Sequence, residues 1–205
     1  MKITLTNIGR RFNRDWIFRD VNYSFEQGNT YAILGRNGSG KSTLLQLIAG
    51  NLTPSKGSID IASNGKSMDP DEVYQSLSIA APYLELIEEF TLSEMINFHF
   101  KFKSYSKDLN KNRLLEILDL KGSKNKALKY FSSGMKQRTK LALSICSDTP
   151  MLLLDEPASN LDAEAISWYL NLIQQYSTNR IVIVCSNQEH EYSFCKNHLR
   201  ISDYK

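Results

Sequence analysis

A chain of 205 residues, 41% hydrophobic and 23% charged, has the size and composition of one α/β domain with a buried core, which excludes intrinsic disorder. Its formal charge of +3 is spread along the chain rather than gathered in a run, so nucleic acid is not an expected partner. No apolar run approaches the roughly 20 residues that span a bilayer, and the expectation is a soluble, cytoplasmic protein that meets any membrane through a partner.

The opening MKITLTNIGRRF alternates like a strand and lacks the apolar stretch of a signal peptide. Strands are predicted near 2–7, 17–25, where Val21, Tyr23 and Phe25 alternate, and 30–34, 58–61 and 77–81. Helical patterning then dominates from about 92 to 146, opened by a capping box in which Thr91 stands three residues before Glu94. The apolar runs MLLLD at 151–155 and IVIVC at 181–185 flank an amphipathic stretch containing Ile166, Tyr169, Leu170 and Ile173. That order reads as buried parallel strands joined by a crossover helix. The reading is a single domain over 1–205 with a helical subdomain, about 84–147, inserted in an α/β core. Cys146, Cys185 and Cys195 are too few and too irregular for a disulfide framework, and the spacing of His190, Cys195 and His198 matches no zinc pattern.

Chemistry is concentrated in AILGRNGSGKSTLL, residues 32–45. Gly35, Arg36, Asn37, Gly38, Ser39, Gly40, Lys41 and Ser42, with Thr43 following, satisfy G-x-x-x-x-G-K-[ST] between a strand and a helix. Glycines let successive backbone N–H groups converge on phosphate oxygens, and the helix beginning near Lys41 turns its positive end toward them. Lys41 would bridge the β- and γ-phosphates and Ser42 would ligate Mg²⁺. Further on, MLLLDEP ends a buried strand in two carboxylates. Such burial is costly unless a cation is served, so Asp155 is read as holding Mg²⁺ through water and Glu156 as polarising the attacking water.

FSSGMKQR, Phe131–Arg138, resembles the LSGGQ signature of ATP-binding cassette proteins, and SNLD at 159–162 resembles their D-loop, so the whole chain resembles an ABC transporter ATPase subunit. The resemblance implies a P-loop NTPase fold with a RecA-like parallel-sheet core, an N-terminal antiparallel β subdomain and the helical insertion. It also implies that two cassettes, as homodimer or heterodimer, sandwich ATP head to tail. Ser132 and Gly134 would then reach the γ-phosphate bound by the other copy, Asp162 would lie near the junction, and Phe12, or Trp16 in its place, would stack on adenine. A transmembrane permease subunit would be the partner, with this chain peripheral on the inner face of the cell membrane.

Departures from the family pattern accompany the resemblance. Tyr83 takes the position of the family's glutamine, and Asn187 that of its switch histidine; Asn187 can donate to a γ-phosphate oxygen but cannot titrate near neutral pH. His190 would substitute only if the loop were displaced. Phe131, Ser133 and Met135 replace the usual leucine, glycine and glutamine. Slow catalysis is expected, and the alternative is a regulatory cassette that binds ATP with little hydrolysis.

Overall fold

In the computed structural model, which describes residues 1–205, Lys2–Phe12 (β1) and Asp15–Glu26 (β2) form an antiparallel hairpin. Both strands run beyond the predicted 2–7 and 17–25. The alternation is interrupted by register shifts between Leu5 and Ile8 and between Ile8 and Arg10, and a bulge inserts residues that period-two patterning cannot follow. Asn7 and Asn22 tie the bulged strands together, the Asn7 N–H donating to Asn22 Oδ1 and Asn22 Nδ2 donating to Asn7 Oδ1, both at 2.9 Å. Lys56–Ser63 (β4) and the short Lys66–Ser67 (β5) complete a sheet of order β2-β1-β4-β5.

Thr30–Leu34 (β3), Leu77–Ala80 (β6), Met151–Asp155 (β7) and Ile181–Cys185 (β8) build the second sheet, with Asn197–Arg200 (β9) at its edge. Its order is β6-β7-β8-β3-β9 and every pairing is parallel. The edge strand β9 was not foreseen, because Leu199 is its only apolar residue. Every residue of β7 and of β8 is buried, as expected for central parallel strands covered on both faces.

Lys41–Ile48 (α1) fills the space between the two sheets, packing Leu44, Leu45 and Ile48 against Ile3, Phe18, Ile33 and Ile183. The opposite face of the parallel sheet is covered by Leu92–His99 (α2), Lys111–Leu118 (α3), Ser133–Ile145 (α4) and Ala163–Tyr176 (α5). The helical stretch expected from 92 to 146 is thus three separate helices joined by longer connections. Each break is capped: Asn110 accepts from the Arg113 N–H, and Ser132 from the Met135 N–H. The Thr91–Glu94 capping box is present in both directions. A short helix, Glu189–Tyr192 (α6), follows β8. No helix is long and apolar enough to cross a membrane.

Candidate active site

Three chain segments meet at the carboxyl edge of the parallel sheet, where open α/β sheets bind ligands. β8 lies between β7 and β3, with Cys185 in register with both Asp155 and Ile33. The turn after β3, the acidic end of β7 and the segment after β8 therefore emerge side by side.

The turn Gly35–Gly40 leads into α1 with Gly40 at φ 105, and α1 has no side-chain cap, which leaves its first N–H groups facing the turn. Only glycine fits position 40: a Cβ there would lie 2.6 Å from Ile17 Cγ2. Lys41 is 5% exposed and folds back along the turn, its Nζ donating to Gly35 O at 2.7 Å and to Arg36 O at 3.4 Å. A cavity of about 200 Å³ is lined by Ile17, the run Asn37–Thr43 and Glu156. Next to it, Gly35, Arg36, Asn37, Ser186 and Asn187 line an open cleft of about 610 Å³.

Asp155 is 2% exposed and its Oδ1 has no hydrogen-bond partner. Burial pushes its carboxyl up to about 6; the Ser42 hydroxyl opposes that rise, Glu156 adds to it and Lys41 opposes it. A buried carboxylate beside a hydroxyl, short of cationic partners, has the donor chemistry of a hard divalent-cation site. Glu156 has φ 45, a left-handed conformation that costs a non-glycine residue about 1 kcal/mol or more and concentrates at functional positions. Its N–H donates to Cys185 O at 2.9 Å, holding the turn onto β8.

Asn187 is exposed beside the phosphate loop, and its Nδ2 donates to Asn37 Oδ1 at 2.6 Å. His190 is exposed on α6 and lines neither cavity. Tyr83 is half-exposed, its phenol pushed up to about 12 by burial, with Asp155 and Cys185 adding to the rise and a hydrogen bond with Gln46 opposing it.

Ser132, Gly134 and Phe12 stand outside both cavities. Ser132 is exposed and caps α4. Gly134 lies against the loop after Glu156, where a Cβ would come within 3.1 Å of Asn160 O. Phe131 is buried among leucines of the helical layer, which absorbs its departure from the signature's leucine. Asp162 is the N-cap of α5, accepting from the Ala165 N–H at 2.8 Å. Phe12 is exposed at the tip of the first hairpin, with the Arg10 guanidinium 4.7 Å from its ring centre, and Trp16 lies between Arg11 and Arg19. Sequence reasoning missed Ile17, whose role depends on the β2 path, and two buried polar residues behind the site, Gln137 and Glu191. Gln137 lies within the signature stretch itself; Glu191, in a polar EHEY run, carries no sequence signal of burial.

This fold and this edge of glycine-rich turn, lysine and paired carboxylates define a nucleotide-binding P-loop protein. The ABC transporter family model matches residues 18–159. The chain is 32% identical over 197 residues to the energy-coupling factor transporter ATP-binding protein EcfA1 of Thermotoga maritima, covering 94% of this chain and 74% of that one. It is 30% identical over 194 residues to the cytochrome c biogenesis ATP-binding export protein CcmA of Agrobacterium fabrum, covering 92% and 90%. Its fold matches the dimeric structure of MJ0796, a bacterial ABC transporter cassette, with TM-score 0.80 at 22% identity over 98% of this chain and 95% of that one. The chain belongs to the ABC transporter family, as an ATP-binding cassette and ATPase.

Proposed function

We propose that this cassette binds Mg-ATP at the turn after β3 and hydrolyses it to drive transport through a separate membrane-spanning subunit, from the cytoplasmic face of the membrane. Residues 1–205 act as one cassette, with 84–147 as its helical arm. The observation that carries this reading is Glu156 lining the same cavity as Ser39–Thr43, one residue beyond a buried, under-partnered Asp155.

In this reading the Gly35–Gly40 backbone and Thr43 cradle the phosphates, Lys41 leaves its own loop carbonyls for the β- and γ-phosphate oxygens, and Phe12 covers the adenine. Ser42 and Asp155 would hold Mg²⁺, which when bound neutralises charge on the phosphates. Glu156 accepts a proton from the attacking water, and Asn187 donates to the γ-phosphate. Ser132 and Gly134 lie away from the phosphate loop of their own chain, which supports their serving a second cassette's ATP. An exposed aromatic row, Tyr74, Phe98 and Phe102, with Phe98 and Phe102 in edge contact at 5.3 Å, supports an apolar docking face for the membrane subunit.

A second reading, an ATP-responsive cassette with little turnover, is favoured by Asn187 standing where the family carries its switch histidine and Tyr83 where it carries a glutamine. Calorimetric titration and turnover assays separate the outcomes. Wild-type protein is expected to bind and turn over Mg-ATP and to lose turnover on chelation of Mg²⁺. Lys41→Ala is expected to weaken ATP binding at least tenfold, about 1.4 kcal/mol or more. Unchanged affinity in Lys41→Ala would overturn the phosphate-loop assignment, and binding without turnover would establish the second reading.

A further inference from the structure

Directly after Glu156, one peptide unit is gripped on both sides. The carbonyl of Pro157 accepts from Gln137 Nε2 at 2.8 Å, and the N–H of Ala158, the other end of the same planar group, donates to Glu191 Oε1 at 2.8 Å. Gln137 sits on α4, five residues beyond Ser132, and is 4% exposed; Glu191 sits on α6, four residues beyond Asn187, and is 1% exposed. Tyr169 of α5 donates its hydroxyl to Glu191 O at 3.0 Å, which fixes α6 in turn.

Burying a carboxylate is expensive, and Glu191 takes part in no ion pair. Burial raises its pKa, opposed by the Ser186 hydroxyl, the Ala158 N–H and His190, while Glu156 adds to the rise. Packing alone would be served better by an apolar side chain. What the two polar groups accomplish is to define the rotation of a single peptide plane, since fixing its oxygen and its hydrogen leaves it no torsional freedom. That plane is one residue beyond Glu156, whose φ of 45 persists only if the surrounding chain over-determines it. Upstream, the Glu156 N–H is already bound to Cys185 O. Downstream, Gln137 and Glu191 supply the other half of the constraint.

We propose that Gln137 and Glu191 are positioning residues for ATP hydrolysis: by clamping the Pro157–Ala158 peptide between the signature helix and the segment after Asn187, they hold Glu156 in its left-handed backbone conformation. The proposal rests on the ATPase reading of Glu156. The carboxylate of Glu191 acts through one acceptor oxygen and neither gives nor takes a proton. An amide at position 191 therefore retains the function, and an apolar residue does not.

The test uses the chain of residues 1–205 in four forms: wild type, Glu191→Gln, Glu191→Ala and Gln137→Met. Three measurements are made on each: hydrogen exchange of the Ala158 amide, ATP affinity and kcat. Glu191→Gln is expected to keep kcat within about threefold, whereas Glu191→Ala and Gln137→Met each lose roughly tenfold in kcat with ATP affinity within about twofold, the signature of misplaced chemistry rather than lost binding. Exchange at Ala158 should accelerate in Glu191→Ala. The double variant Glu191→Ala/Gln137→Met should lose little more than the worse single one, because both act on one peptide. Unchanged Ala158 exchange in Glu191→Ala, multiplicative losses in the double variant, or a Glu191→Gln as slow as Glu191→Ala would each overturn the clamp. Should Glu191→Ala fail to fold, a wild-type kcat in Gln137→Met overturns it alone. Absence of turnover in the wild type instead defeats the ATPase reading, while the exchange data still report on the contact.

Discussion

Asn187 shows how much one side chain can change at this site. Its amide donates to Asn37 of the phosphate loop; under the proposed reading it serves as a neutral donor, with no charge to meet that developing on the γ-phosphate. Asn187→His is expected to raise kcat under saturating Mg-ATP by roughly 5- to 30-fold, about 1–2 kcal/mol of barrier, and Asn187→Ala to lower it. Steady-state turnover of the purified protein with its membrane partner checks both. If Asn187→Ala is neutral while His190→Ala abolishes turnover, the switch position lies three residues further on. The phosphate-loop residues were legible in the sequence because a contiguous string dictates their backbone path. The partners of Asn187 were not, since Asn37 is 150 residues away in the chain.

At the scale of elements, a buried arginine joins two helices to the sheet. Arg180, just before β8, donates from Nη1 to Ile145 O at 2.7 Å and to Tyr176 O at 3.2 Å, the last residues of α4 and α5, and from Nη2 to Ser78 Oγ and Thr149 Oγ1, both at 2.8 Å. A cation at two helix carboxyl ends complements both dipoles, which offsets the burial that pulls Arg180 down to about 10. Arg180→Met leaves those carbonyls without their donor and is expected to cost about 2–3 kcal/mol. For a chain of this size that lowers Tm by roughly 5–10 °C, readable by thermal melting at equal nucleotide concentration; an unchanged Tm would show the network to be energetically idle. Strand and helix identities were largely legible from periodicity. The far halves of β1 and β2 were not, because bulges break the alternation, and β9 was not, because a strand held mainly by backbone pairing has no need of an apolar pattern.

For the whole molecule, Ser132 and Gly134 line neither cavity beside the phosphate loop of their own chain, and under the proposed reading they serve ATP bound by a second copy. Glu156→Gln keeps the shape of the carboxylate but removes its basic oxygen. With Mg-ATP this variant is expected to accumulate as a dimer, doubling the 23.4 kDa mass by size-exclusion chromatography with light scattering. A variant that stays monomeric at high concentration, with and without the membrane partner, would count against the sandwich. By itself the sequence determined the pieces whose conformation is local: the glycine-rich turn, the Thr91 capping box, the acidic end of β7 and the apolar runs of β7 and β8. Each is specified by neighbouring residues whose hydrogen-bonding and burial needs are met within a few positions. Only the tertiary structure decided what converges on them. The order β6-β7-β8-β3-β9 sets the segment after β8 beside the phosphate loop, the path of β2 in the other sheet lays Ile17 on Gly40, and the packing of α4 and α6 closes Gln137 and Glu191 around one peptide behind Glu156. Those partners come from distant strands and helices, and strand order is fixed by packing of whole faces, which no local pattern of residues encodes.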